Sequence, residues 1–411
     1  MASLVPPPLR RRNFALYFTG QIASNTGVWF QNLALSLWIV EETESARALA
    51  LVTVCQFAPI LLLSAVAGAA ADTFRPRSIL FVTAALSSLA AAMLALAASS
   101  GIDHLPILLA IVAFSGVVQA FDRTAGQAFL FELVGARELG VAVSLNTVAL
   151  SAARSIGPGI AGIAYAVAGP ATCFGINAAT YGFVILAMCS MNAKRFVARP
   201  VRPADSDEAR SAIGTLLADR TLRRLFATNV AVTVLAMNFM VVVTAMVTIS
   251  LDAGAPQLGA AHALNAVGAV VGGLVVSTLA QVRLRVVALA TMVLGGALAC
   301  AALSPNIVVF LVVSPIIGLG LGAFQSSLGS AVQTLSPSHL LGRSSALLTM
   351  SSVGVAPVGA IIAGSIVDGA SARWAMAVGT LACLVCGAVL ARTPRTTVSR
   401  IRTDDKRPAR S

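Results

Sequence analysis

The sequence is dominated by apolar runs of about 20 residues or more, separated by short gaps that carry most of the charge. A helix of about that length is needed to cross a hydrocarbon core of about 30 Å. Only 11% of the residues are charged and 57% are apolar, whereas soluble domains contain about a quarter charged and about half apolar residues. These runs therefore predict a polytopic membrane protein and exclude a soluble or a disordered chain.

The runs predict an all-α membrane protein with twelve transmembrane helices. Strands of a membrane β-barrel would be about ten residues long with alternating apolar and polar residues, and no such alternation is present. The predicted spans are 14–40, 46–70, 79–100, 105–122, 139–168, 171–191, 222–250, 256–280, 286–304, 307–333, 344–368 and 372–391.

The distribution of basic residues predicts the orientation. If both termini lie in the cytoplasm, every Lys and Arg falls on the cytoplasmic side except Arg47, Arg154 and Arg373, as the positive-inside rule requires. The same rule explains the net charge of +12 without a nucleic-acid partner. We therefore expect a multi-pass protein of a bacterial inner membrane, with the lipid bilayer as its surroundings and both termini cytoplasmic.

The chain is predicted to consist of two six-helix bundles. The only long polar interval between spans, 192–221, separates an N-terminal bundle, 1–191, from a C-terminal bundle, 222–391, and a polar tail follows at 392–411. The halves resemble each other weakly at an offset of 202 or 203 residues, since Ala120-Phe121 recurs as Ala323-Phe324, and Gly157 with Gly162 recurs as Gly359 with Gly364. Two parallel repeats of this kind place a substrate site between the halves near the membrane midplane.

The loop between the second and third predicted spans carries a family resemblance. It reads Gly68-Ala-Ala-Ala-Asp72-Thr-Phe-Arg75-Pro-Arg77 and resembles the G-x-x-x-D-R-x-G-R-R/K loop of the major facilitator superfamily. Gly68, Asp72 and Arg77 fit, whereas Thr73 replaces an Arg of that pattern. The segment Arg154-Ser-Ile-Gly157-Pro158-Gly159-Ile-Ala-Gly162 is similar to the drug:proton antiporter branch, which includes enterobactin and macrolide exporters.

The resemblance implies a secondary active transporter, not an enzyme, that exports small amphiphilic molecules, drug-like or siderophore-like, by proton antiport with alternating access. It implies a small-molecule substrate and a coupling proton as partners. A facilitator or an importer of a small metabolite is the alternative. A membrane-embedded enzyme is less favoured, because the sequence has no H-E-x-x-H, Walker or G-x-S-x-G motif.

Arg154 is the most informative polar residue, because it falls near the centre of the predicted span 139–168. A charge there costs about 2.5–3.5 kcal/mol on insertion scales unless it is compensated. Either it binds an anionic or carbonyl-rich substrate in a central cavity, or it pairs with a structural partner such as backbone carbonyls. Further predicted substrate ligands are polar residues within spans: Gln21, Asn25, Gln31, Asn146 and Gln325.

Six residues are predicted to act in gating: Asp72, Arg77, Asp122, Gly157, Pro158 and Gly162. Pro158 removes a backbone donor and should kink its helix, which either shapes an outer seal or is a plain kink. Asp122 is either a proton-responsive group or, as we favour, an ion-pair partner of Arg77 or Arg123.

Small residues in several spans favour close, sliding helix contacts. Gly268 and Gly272 form a small-xxx-small pattern of the kind that brings backbones together in lipid. We expect this pattern to lie at a moving interface between the halves, although small residues are common in membrane helices of every kind.

No cofactor and no metal site are expected. Cys383-x-x-Cys386 has no His or second Cys pair nearby, which favours apolar packing over metal binding. One bundle is sufficient for transport, so the protein is expected to be monomeric.

Overall fold

A computed structural model of the protein describes residues 6–102, 104–192, 196–197, 214–279, 283–337 and 340–392. Within these ranges every regular element is a helix, and the predicted all-α class is confirmed. The α-helices are α1 Arg12–Thr43, α2 Ala46–Thr73, α3 Pro76–Ser99, α4 Leu105–Cys189, α5 Arg220–Ala236, α6 Phe239–Ala245, α7 Ala255–Ser277, α8 Leu284–Ala302, α9 Ile307–Leu335, α10 Leu341–Val353, α11 Ala356–Gly369 and α12 Ala372–Ala391.

The long helix α4 is interrupted twice. Gly135 and Gly169 have φ angles of 72° and 74°, in the left-handed region that glycine adopts without steric cost. They divide α4 into a first stretch, 105–134, a second, 136–168, and a third, 170–189. The predicted span 105–122 is thus extended by about three helical turns before the chain reverses.

Two of the predicted spans are each broken into two helical segments. The predicted helix 222–250 is interrupted after α5, where Asn238 Nδ2 donates to Val234 O at 2.8 Å, and α6 continues as a π-helical turn, Met246–Ser250. The predicted helix 344–368 is interrupted at Gly354 and Val355, just before Pro357, which has no N–H to continue a helical ladder.

Nine helices of the described residues are long and apolar enough to cross a membrane, with α4 counted once. Helix α1 is not among them, because polar side chains such as Gln21, Asn25 and Gln31 lower its mean hydropathy. Such side chains are costly in contact with lipid and are commonly turned towards protein or a water-filled cavity.

The described residues form two compact units. The first contains those of residues 1–202 and 243–263. In it, the three stretches of α4 pack against α1, α2 and α3. A buried cluster near the start of α1, which includes Phe14, Phe129 and Met188, fixes these helices at one end.

The second unit contains the described residues of 203–242 and 264–411. Helix α8 packs between α9 and α12, and α5 contacts α10, α11 and α12. Asn229 ties α5 to α10 by donating from Nδ2 to the hydroxyls of Ser351 and Ser352, both at 2.8 Å.

Candidate functional site

Arg154 lies on one of two exposed faces of the second stretch of α4. Ile156 and Ile163 are 59% and 60% exposed, and the helical repeat of about 3.6 residues places both nearly opposite Arg154. Leu150 and Val143 lie on the same face as Arg154 and are 42% and 48% exposed. This second exposed face is where the arginine projects.

Arg154 has an exposed side chain and makes no hydrogen bond or ion pair with any described residue. Asn146 lies two turns earlier, and its Oδ1 is buried without a hydrogen-bond partner within the described part of the chain. The same stretch therefore presents a cation and an orphan acceptor. In this structure, the backbone carbonyls beside Pro158 do not accept a hydrogen bond from Arg154. Its charge must therefore be compensated by a group other than the described residues.

The polar side chains of α1 separate into two sets. Gln21 and Asn25 are half-buried and interact with each other, Asn25 Nδ2 lying 2.7 Å from Gln21 O. Gln31, in contrast, is buried, and its Oε1 accepts from Asn177 Nδ2 at 2.7 Å. Asn177 belongs to the third stretch of α4 and is 1% exposed. The Gln31 side chain thus joins two helices, whereas Gln21 and Asn25 remain accessible.

Gln325 lies in α9 of the second unit. Its side chain is exposed and makes no hydrogen bond with the described residues. It is therefore accessible to a ligand.

Asp122 does not form the ion pair that the sequence favoured. Its Oδ1 accepts from Thr83 Oγ1 at 2.9 Å, and no described Lys or Arg nitrogen lies within salt-bridge distance of it. Arg77 instead donates to Met188 O at 2.7 Å and lies 5.7 Å from the ring centroid of Phe196. The Arg77 guanidinium thus binds a helix C-terminal carbonyl and does not form an ion pair with Asp122.

The loop residues of the family-like motif lie at the surface. Asp72 is exposed at the end of α2, and a Cβ on Gly68 would have no atom within 4 Å. Gly68 is therefore not at a close helix contact within this structure.

Gly157, Pro158 and Gly162 are all buried and lie in a close helix contact of the first unit. A Cβ on Gly162 would lie 2.5 Å from Ala255 O, and one on Gly259 would lie 2.5 Å from Pro158 O. We call this contact, formed by residues 157–162 of α4 and 255–263 of α7, the α4–α7 seam. The backbone keeps helical dihedral angles through Pro158, and the breaks in α4 fall at glycines 135 and 169.

The small-xxx-small pattern of α7 packs differently from expectation. Cβ atoms on Gly268 and Gly272 would collide with Pro315 O and Leu319 O of α9, within the second unit. The expectation that this pattern lies at an interface between the halves is wrong. The reason is that α9 presents its own glycines, such as Gly318, to the same face, and paired small residues allow the closest backbone approach.

Two aromatic residues that were not among the predicted site residues, Trp29 and His262, complete the α4–α7 seam. The Trp29 side chain covers Gly157, whose Cβ would lie 2.9 Å from Trp29 Cβ. The ring centroids of Trp29 and His262 are 6.4 Å apart, and His262 Nε2 is buried with no hydrogen-bond partner among the described residues. The one clue in the sequence was that His262 is the only ionisable residue of α7.

Comparison with known families gives one assignment for nearly the whole chain. The family model described as transmembrane secretion effector matches residues 3–409. This match covers both units and all the candidate residues above.

Among curated relatives, the multidrug efflux pump Tap of Mycobacterium tuberculosis is 28% identical over 394 residues, which cover 92% of each chain. The staphyloferrin A transporter of Staphylococcus aureus is 31% identical over 175 residues, which cover 42% of this chain and 44% of that protein. The match to the latter therefore spans less than half of that relative.

Solved structures share the fold at low identity. A POT family transporter in complex with 5-aminolevulinic acid matches with a TM-score of 0.76 at 10% identity, covering 93% of this chain and 96% of that chain. The nucleoside transporter NupG matches with a TM-score of 0.71 at 9% identity, covering 92% and 99%. These likenesses concern the fold alone.

Proposed function

Because the chain belongs to the transmembrane secretion effector family of the major facilitator superfamily, we propose that it exports small amphiphilic molecules, drug-like or siderophore-like, by proton antiport with alternating access. The chain is a multi-pass membrane transporter of small molecules rather than an enzyme. Export is supported by the relative that is named a multidrug efflux pump, and a small-molecule substrate is supported by the relative that is named a staphyloferrin A transporter.

The proposed architecture is twelve transmembrane helices in two six-helix pseudo-repeats. If α1 is counted and the three stretches of α4 are separate spans, the nine candidate spans become twelve. The proposed domains are the N-terminal bundle 1–191, the linker 192–221, the C-terminal bundle 222–391 and the tail 392–411. The linker and the tail fall largely outside the described residues.

The proposed location is a bacterial inner membrane, with both termini in the cytoplasm. The basic residues support this orientation, and the curated relatives are bacterial. In this orientation Gly135 turns the chain on the cytoplasmic side and Gly169 on the outer side. The proposed transporter is a monomer.

The observation that carries the proposed substrate site is that Arg154 is exposed and has no hydrogen-bond or ion-pair partner among the residues that the structure describes. A charge in the membrane interior needs a partner or water, and the guanidinium fork matches carboxylate and carbonyl oxygens. Asn146, Gln21 and Asn25 are proposed to bind the same ligand through their amides. Gln325 is proposed as a further substrate ligand, because its side chain is exposed. A substrate with an anionic or carbonyl-rich part and an apolar part suits this set.

We assign the outer gate to the α4–α7 seam around Gly157, Pro158 and Gly162. Where its glycines meet, the backbones are so close that a Cβ on Gly162 or Gly259 would collide with the facing helix, which suits a seal. The seam must separate when the outer side opens, and glycine surfaces allow helices to part without disengaging large side chains. On the cytoplasmic side, Asp72 and Arg77 are proposed to act in the inner gate.

Asp122 is proposed as the group that responds to the coupling proton on the cytoplasmic side. Its carboxylate has a neutral hydrogen-bond donor, Thr83, and no cationic partner within salt-bridge distance among the described residues. An ionised carboxylate only accepts hydrogen bonds, whereas a protonated one also donates. Protonation and deprotonation can therefore change its contacts during the cycle.

The test uses everted vesicles energised with an acid-inside gradient. A pH dye reports proton release when antibiotics, dyes and siderophores are added one at a time. We expect some compounds to dissipate the gradient, and we expect Arg154→Ala to abolish this response at normal membrane abundance.

Arg137→Ala is the matched control, since Arg137 is exposed near the start of the same helical stretch, and it should retain the response. Full export by Arg154→Ala would remove this residue from the substrate site. If compounds equilibrate faster than in empty vesicles without moving protons, the protein is a facilitator, and the antiport mechanism is wrong.

A further inference from the structure

His262 lies at the end of the α4–α7 seam, at the point where α1 closes over it. Its ring faces Trp29 at a centroid distance of 6.4 Å, and Trp29 in turn covers Gly157. One residue further along α7, Ala263 Cβ would be 3.7 Å from a Cβ on Gly159. His262 is thus placed where three helices of the first unit meet.

The imidazole has an unused polar atom in this contact. Nε2 is buried and has no hydrogen-bond partner within the described part of the chain. In contrast, the buried Gln31 is fully engaged with Asn177. A buried nitrogen without a hydrogen-bond partner destabilises a contact from which water is excluded. This cost suggests that His262 has a function in the seam.

Among the described residues, no acidic side chain is placed to compensate a protonated imidazole. The charged residues on the helices packed against His262 lie towards the ends of α1 and along the second stretch of α4, and the described ones are Arg12, Glu41, Glu42, Arg137, Glu138 and Arg154. Glu41 is occupied by the hydroxyl of Tyr165 at 2.5 Å. Arg154 is the nearest of these along the seam, about 7.5 Å before Gly159 along the helix axis, and it has the wrong sign.

We propose that His262 is the proton-binding site of the outer gate: a neutral imidazole allows the α4–α7 seam to close, and a protonated one holds it open. The proposal rests on the proposed proton antiport and assigns a second protonation site to it. The proton comes from water on the outer side and adds to the unprotonated ring nitrogen of the neutral imidazole, which gives an imidazolium with a proton on each nitrogen. Loss of the same proton to water restores the neutral ring.

The physical basis is the cost of burying an unpaired charge. A cation in a closed apolar contact is strongly unfavourable unless it finds a partner. The Trp29 ring does not provide one, because cation–π attraction is significant within about 6 Å of the centroid and the observed distance is 6.4 Å. Opening the seam admits water to the imidazolium, so protonation and opening are linked.

The protonation step is tested by tryptophan fluorescence. The chain has three tryptophans, and replacing Trp38 and Trp374 by Phe leaves Trp29 as the only reporter. In purified protein in lipid nanodiscs, we expect Trp29 emission to fall in a single step as the pH is lowered from about 8 to about 4, because a protonated imidazole quenches indole. His262→Gln should lose the step, whereas the control His104→Gln, at an exposed histidine before α4, should keep it.

The opening step is tested by cysteine labelling. Gly159→Cys is placed in the seam after the six native cysteines have been replaced, and its reaction with a water-soluble maleimide is followed as a function of pH. We expect labelling to accelerate at low pH with the same midpoint as the fluorescence step, and His262→Gln to label slowly at every pH.

A fluorescence step that survives in His262→Gln, or no step at all in the parent protein, overturns the proposal. The same holds for a pH dependence of labelling that persists in His262→Gln. Neither assay needs a substrate. Absence of proton-coupled export in the parent protein would therefore refute the proposed function. The fluorescence and labelling results would still decide whether His262 binds a proton and opens the seam.

Discussion

Gly162→Ala should shift the protein towards the state in which the α4–α7 seam is open. The new Cβ would lie 2.5 Å from the backbone oxygen of Ala255, whereas ordinary van der Waals contacts begin at about 3.4 Å. Because the colliding atom belongs to the backbone, α7 itself must move by roughly 0.9 Å. Overpacking of this kind costs about 1–3 kcal/mol.

This cost applies only to the closed seam. Alanine also favours the helix by about 0.8–1.0 kcal/mol over glycine, but it does so in the open and the closed states alike, so that this gain cancels. The open population should therefore rise by about 5- to 150-fold. If the closed state does not react, the labelling rate of a cysteine at position 159 should rise by the same factor.

The matched control is Gly140→Ala, in the same helical stretch of α4. A Cβ at Gly140 would have no atom within 4 Å, so the substitution changes helix propensity without a new contact. We expect it to label at the parent rate. Equal labelling of Gly162→Ala and the parent, or an increase of similar size in Gly140→Ala, would refute the assignment of this seam as a gate.

Three further outcomes are expected. Asn177→Ala leaves the buried Gln31 amide without its partner and should lower the free energy of unfolding by about 1–3 kcal/mol, measured by thermal unfolding of the purified protein; an unchanged melting temperature would contradict this. Gly272→Ala drives a methyl group into the α9 backbone and should destabilise the fold without changing labelling at position 159. Gly296→Ala, which has open space, should not destabilise the fold, since alanine favours the helix by up to about 1 kcal/mol, and it should leave the labelling rate unchanged. Asp72→Asn should reduce transport turnover more than substrate affinity, as measured by initial transport rates and equilibrium binding. Unchanged turnover would show that Asp72 has no part in the gate.

The sequence predicted the candidate site only in part. Arg154 was identified from its position alone, because a charge within an apolar run is expensive wherever it points. Its freedom from protein partners was not predictable, since that depends on which groups the other helices bring near. Asp122 was expected to pair with a nearby arginine, but Arg77 reaches the carbonyl of Met188 instead. Pairing between spans depends on helix rotation, on which hydropathy carries no information.

The glycines also show that the sequence does not specify which helices contact each other. Gly157 and Gly162 were linked to a seal through a family resemblance, and the structure places both at a close contact, whereas Gly268 and Gly272 lie against α9 and not between the halves. A small-residue pattern states that a helix surface can approach another closely. It does not state which helix approaches.

The sequence by itself determined that this is an all-helical membrane protein, where most spans begin and end, and which residues are too polar for lipid. These are properties of single segments, because the bilayer satisfies no backbone hydrogen bonds and imposes a minimum length on each helix. Only the tertiary structure decided that Trp29, Gly157, Gly259 and His262 meet in one seam. These residues come from three helices distant in sequence, and in lipid their association depends on packing and hydrogen bonding rather than on hydrophobicity.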